Sequence, residues 1–171
     1  MSSLSANQNV PVIGMAQMIN IIMRRIHVIE IVDANLAESL CGLFMRVLVV
    51  MPNNQSGYAI GRIIGVEHGL SYTGFAFDKT KTTDILFRLD LSDDLTQKSG
   101  VLYQLNSVSN SPMKPDEFEK WQQHGDPITL TEYESLVERQ TAIISQMRRQ
   151  AKDALARSKA KDALAGSNAT V

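Results

Sequence analysis

A chain of 171 residues with 44% hydrophobic content is long enough for one ordinary domain and an appendage. The formal net charge of −1 excludes a nucleic-acid binder acting through its overall field, and a single cysteine, Cys41, excludes an intrachain disulfide and suits a reducing compartment. The apolar run from Val10 to Ile31 is interrupted by Gln17, Asn20, Arg24, Arg25, His27 and Glu30. It is too polar for a membrane span, and the start of the chain lacks the pattern of a secretory signal, so a soluble intracellular protein is expected.

Residues 1–10 are small and polar and read as a disordered N-terminus. From Pro11 to Val32, Ile13, Met18, Ile21, Ile22, Ile26, Ile29 and Val32 recur at steps of three and four. That spacing predicts an amphipathic helix, either continuous or broken once. Asp33 or Asn35 can cap a short second helix through Cys41 that Gly42 ends. The texture then changes to strands: 43–51, 58–66, 72–77, 85–91 and 101–108 are short and mostly rich in β-branched or aromatic residues. Turn sequences such as Pro52-Asn53-Asn54-Gln55-Ser56-Gly57 separate them, and the set predicts a small antiparallel barrel or a strongly bent sheet.

After the last strand comes a Ser/Pro loop and then a helix with Phe118 and Trp121 on one face, which predicts packing back against the strand it follows. Gly125-Asp126-Pro127 ends that helix. Thr129 or Thr131 caps a long final one, whose seam reads Tyr133, Val137, Gln140, Ile144, Met147, Ala151 and Ala154. Arg139 to Asp162 holds seven basic residues against two aspartates, a net of +5, which leaves −6 for the rest. The hexapeptide AKDALA occurs twice, at 151–156 and 160–165. Residues 139–171 therefore read as a basic, alanine-rich helical tail, partly disordered, behind a domain at 11–138.

No residues propose a catalytic site. His27, His68 and His124 are scattered without metal-ligand spacing, so no metal or cofactor is expected. Phosphate-loop, nucleophile-elbow and HExxH patterns are missing, and Asp93-Asp94 reads as a solvated turn. Binding remains. Arg46 stands in an otherwise apolar strand, where its guanidinium must reach the rim, pair internally or face an anion pocket. Arg24 and Arg25 are either favourable charges near a helix end or phosphate contacts. Arg62 and Arg88 read as exposed members of alternating strand pairs.

The string 108–121, V-S-N followed by E-F-x-K-W, resembles the closing signature of the Plus-3 domain of a transcription elongation factor associated with the polymerase-associated factor (Paf) complex. Gly42-Leu43-Phe44-Met45-Arg46-Val47 is similar to the strand that opens the family's sheet, and 58–66 matches its next strand in spacing and apolar phase. The resemblance spans about residues 18–135. It implies an α+β fold in which N- and C-terminal helices flank a small Tudor-like antiparallel β-barrel. It further implies a non-enzymatic, nuclear docking module for phosphorylated or acidic C-terminal repeats of a KOW-domain elongation factor. Such a module links that factor to Paf complex subunits and, indirectly, to RNA polymerase II.

An arginine fork meeting a phosphothreonine bidentately is the chemistry such recognition needs. Carried over, the peptide- and phosphate-binding residues are Arg25, Arg46, Tyr58, Arg62 and Tyr103. Where the family has arginines before V-S-N, this chain has Val101, Leu102, Tyr103, Gln104 and Leu105. Either acidic side chains replace phosphate in the partner, or the charge comes from elsewhere. The alternative reading is a single-stranded nucleic-acid binder. It stacks bases on Tyr72, Phe75, Phe77 and Phe87 and holds phosphates with Arg148, Arg149 and Lys152. Gln140 and the alanines of the final seam argue for a monomer.

Overall fold

A computed structural model of the chain describes residues 11–50, 53–74, 80–91 and 101–168. The predicted N-terminal helix is broken once. Helix α1 (Met15–Ile21) runs into a two-residue strand, β1 (Ile22–Met23), and α2 (Arg25–Asp33) follows. The break exists because Ile22 and Met23 pair in parallel with Phe44 and Met45, which takes those two residues out of the helical ladder. Asn35 at φ 60° and Gly42 at φ 89° then bracket a short 3₁₀ turn over Ala37–Leu40, where the sequence predicted a second helix.

Three antiparallel strands form the body of the sheet: β2 (Phe44–Val50), β3 (Ser56–Tyr72) and β4 (Thr83–Leu91). A short β5 (Leu102–Gln104) pairs with β4, and the sheet order is β1-β2-β3-β4-β5. Strand β3 joins the predicted 58–66 segment to Tyr72 in one piece of 17 residues, bent by register shifts between Ile63 and Gly65 and between His68 and Tyr72. Phe75, Phe77 and the Asp93-Asp94 pair lie outside the described residues, as do residues 1–10.

The architecture is α+β, but the sheet is not closed into the expected small barrel. Strand β5 is only three residues long and passes at once into a 3₁₀ turn, Leu105–Ser107. The returning chain then meets β2 at a single bridge, Val47 with Val108. One bridge supplies a contact, not a ladder.

Helix α3 (Pro115–His124) starts with proline at its first position and stacks Phe118 on Trp121. It crosses the β2–β3 hairpin instead of packing back on β5, because Glu117 pairs with Arg46 of β2. Helix α4 (Leu130–Asn168) is one continuous helix whose first turn is capped by Thr129, which accepts the Glu132 N–H at 3.2 Å. Leu136 and Ile143 are buried, and Tyr133, Val137, Ile144 and Met147 are half-buried against the domain. Gln140 donates to the Ile21 carbonyl at 2.7 Å and to Met23 Sδ at 3.3 Å, which explains a polar residue in the seam. Docking thus runs through Met147, past the expected boundary at 138; beyond it, residues 148–166 are exposed.

The core is a single cluster that includes Met18, Ile21, Ile31, Leu40, Leu43, Met45, Ile63, Phe87, Leu89 and Leu105. Among the described residues, no helix is long and apolar enough to cross a membrane.

Candidate functional site

Arg46 resolves into the second of its three options. Its residue is 2% exposed, and its guanidinium donates from Nε to Glu117 Oε1 at 2.7 Å and from Nη2 to Glu117 Oε2 at 2.8 Å. Nη1 donates to Ser109 Oγ at 2.7 Å, and the guanidinium carbon lies 3.8 Å from the Tyr58 ring centroid. A bidentate carboxylate, a hydroxyl and an aromatic face enclose the planar cation, the arrangement that lets arginine leave water. Its expected role as a phosphate contact is therefore corrected: the fork is occupied from inside.

The closing motif gains a physical meaning from this. Val108 bridges Val47, and the Ser109 N–H donates to the Arg46 carbonyl at 2.8 Å. The Ser109 carbonyl in turn accepts the Arg25 N–H at 3.1 Å, and Asn110 Oδ1 accepts the Ile26 N–H at 3.3 Å. Glu117 holds Arg46 and also accepts the Lys114 N–H at 3.0 Å, closing the first turn of α3. Val108-Ser109-Asn110 and Glu117 thus tie β2, α2 and α3 together. Sequence reasoning found the motif but not Ser109 and Glu117 as partners of Arg46; the lone cation in an apolar strand was the available signal.

The other expected residues separate. Arg25 opens α2 half-buried, and neither it nor Arg24 has an ion-pair partner among the described residues. Arg24 lines a cleft of about 420 Å³ with Asn20, His27, Gln140, Met23 and Ile144, a grouping the sequence did not reveal. Tyr58 is partly exposed on β3. Leu48 and Val50 alternate with it on the same outer face of the hairpin, where Leu48 pairs with Tyr58 and both leucine and valine are exposed. Arg62 is half-exposed, pairs with Glu132 at 2.7 Å and lies 4.6 Å from the Phe44 ring centroid. Arg88 pairs with Glu67. Tyr103 lies across the sheet on β5, opposite Phe87, and burial pushes its hydroxyl pKa up.

The stacking platforms of the alternative reading are withdrawn where the structure describes them. Phe87 is fully buried. The Tyr72 hydroxyl donates to the Ile85 carbonyl and accepts the Leu105 N–H at 3.0 Å, and burial raises its pKa. Both aromatics serve the core, Phe87 from within it and Tyr72 from its edge. Arg148, Arg149 and Lys152 lie exposed on α4. Among the described residues, no group of three or more His, Cys, Asp or Glu is placed to hold a metal ion.

No curated protein sequence matches the chain. The family model described as "Plus-3 domain" does, over residues 17–125, from α1 through the end of α3. That span contains every hydrogen bond of the Arg46 cluster. Plus-3 domains are non-catalytic interaction domains linked to transcription. With nearly two thirds of its residues inside the match and its closing motif serving as the clamp on Arg46, this chain belongs to the Plus-3 domain family.

Proposed function

We propose that the chain is a non-enzymatic docking module of the transcription elongation machinery. It receives the C-terminal repeats of a KOW-domain elongation factor in the nucleus and links that factor to the Paf complex. Family membership over residues 17–125 is the observation that carries this reading. Two features of the surface support it. Arg24 and Arg25, which have no ion-pair partner among the described residues, stand beside the Ser109–Asn110 loop. From there Ser109 leads by hydrogen bonds to Arg46, and Leu48 and Val50 follow on the same face of β2 with Tyr58 opposite. A repeat peptide laid along this path meets positive charge at one end and an apolar floor at the other.

With Arg46 enclosed, the charge for a phosphate or an acidic side chain comes from Arg24 and Arg25. This answers the missing arginines before Val108 by supplying charge from α2. The test is binding of phosphorylated and unphosphorylated repeat peptides to the full chain and to Arg25→Ala, Arg24→Ala and Leu48→Ser variants. Phosphate-dependent binding weakened by the arginine changes, and general weakening by Leu48→Ser, is the expected result. Equal binding of both peptides means that acidic side chains are read instead. Failure of both peptides to bind the folded protein overturns the reading.

A further inference from the structure

We propose that the projecting half of α4 is an arm that seats in the major groove of B-form DNA. This goes beyond the docking reading, and it differs from single-strand binding because the domain's aromatics take no part.

The arm begins where docking ends. Residues 148–166 are exposed, and the stretch 148–168 carries Arg148, Arg149, Lys152, Arg157, Lys159 and Lys161 against Asp153 and Asp162, a net of +4. The remaining chain is net −5, so the excess of positive charge lies in the projection. Because α4 is continuous, the docked half supplies the nucleus that an isolated helix of this length lacks.

The arrangement of the cations decides what kind of polyanion fits. At about 100° per residue, Arg148, Lys152 and Lys159 fall within about 40° of one another, while Arg157 and Lys161 fall on the opposite side. The AKDALA repeat produces this, since nine residues separate the copies and nine residues are about two and a half turns. Lys152 and Lys161 therefore point in opposite directions, roughly 13 Å apart along the axis. Between the two rows most edge residues are small: Ala151, Ala154 and Ser158 on one edge, Ala156, Ala160 and Ala163 on the other. Only at the base of the arm do other groups intervene, where Arg149 lies on the second edge and Ala151 and Ala154 border a cleft with Glu30 and Asp33 of α2. A helix lying on a flat acidic surface has use for one cationic row. A slim helix within a groove meets a phosphate backbone on each side, and the B-form major groove is wide enough for it. The deep, narrow major groove of A-form RNA is not.

The test uses the full chain with a 20-base-pair DNA duplex, the matching duplex RNA, the single strand and poly-glutamate, with Lys152→Gln, Lys161→Gln and a chain ending at residue 147. Duplex DNA is expected to bind most tightly. With five phosphate contacts its affinity falls by several hundred-fold between about 50 and about 200 mM salt. Each lysine change should weaken binding by a similar factor and make the salt slope shallower by about 1. Circular dichroism confirms that the variants keep their helix. Binding that survives removal of 148–171, a neutral Lys161→Gln, or equal binding of poly-glutamate, single strand or duplex RNA overturns the proposal. Absence of binding at about 50 mM salt does the same. Repeat-peptide binding by the chain ending at 147 reports separately on the docking reading.

Discussion

Replacing Glu117 with alanine should be among the most damaging single changes in this domain, and the reason can be worked from the geometry. The Arg46 side chain is 2% exposed and that of Glu117 is 10% exposed, so the pair is removed from water. Alanine at 117 deletes both charge-assisted bonds and leaves the guanidinium with Ser109 and the Tyr58 ring. Breaking a buried pair from one side costs about 3–5 kcal/mol, because a charge stays buried without its counterpart. Loss of the Lys114 N–H acceptor at the start of α3 adds about 1 kcal/mol. Against the roughly 5–15 kcal/mol of a whole domain, this is a third of the stability or more. In urea, with an m-value of about 2 kcal/mol per molar, the midpoint should fall by about 2 M. The double variant Arg46→Met with Glu117→Leu should recover most of that loss, since an apolar pair of similar volume removes the stranded charge. A midpoint shift below about 0.5 M for Glu117→Ala would refute the argument. Arg46 would then be solvated and again available to a ligand.

Tyr72→Phe should destabilise the domain by about 1–3 kcal/mol in urea unfolding, because the Ile85 carbonyl and the Leu105 N–H lose their shared partner. Tyr72 and Tyr103 should ionise at higher pH than free tyrosine in an ultraviolet absorbance titration, since burial raises both pKa values. The folded state holds those protons more tightly than the unfolded one. Their contribution is therefore intact below the unfolded value of about 10 and is lost as pH rises through the raised folded values. Gly42→Ala should lower stability by about 1 kcal/mol or more, read as a drop in Tm. Its φ of 89° disfavours a side chain, and the new Cβ would stand 2.6 Å from the Arg139 guanidinium. Gln140→Leu should cost about 1–2 kcal/mol by leaving the Ile21 carbonyl without its side-chain donor, and thermal unfolding measures it.

The strands β2 and β4 were legible because their apolar residues are dense and bounded by turns, and α4 because its seam keeps step over many turns. Strand β1 was hidden: Ile22 and Met23 are apolar residues within an apolar helical pattern, and only the parallel partner Phe44–Met45 makes them extended. The long β3 was divided in the reading because glycines such as Gly65 and Gly69 look like boundaries, whereas the strand passes through them with shifts of register. At the site, Arg46 was recognisable as anomalous, but its partner lies 71 residues away and periodicity carries no information at that range. The aromatics of β3 and β4 illustrate the same limit, since a hydroxyl tied to the backbone and a hydroxyl open to a ligand share one letter.

The sheet is ordered as the chain is made, each strand beside its sequence neighbour, so the meander can pair as soon as it leaves the ribosome. Arg46 belongs to that early hairpin, yet Ser109 and Glu117 emerge 63 and 71 residues later. Until then its strand carries a guanidinium that cannot be buried. A guanidinium without its carboxylate resists burial, so the outer face of β2 and β3 is expected to close only once α3 is present. A nascent chain halted before Glu117 therefore has an incomplete fold, and completion of α3 is the event that seals it.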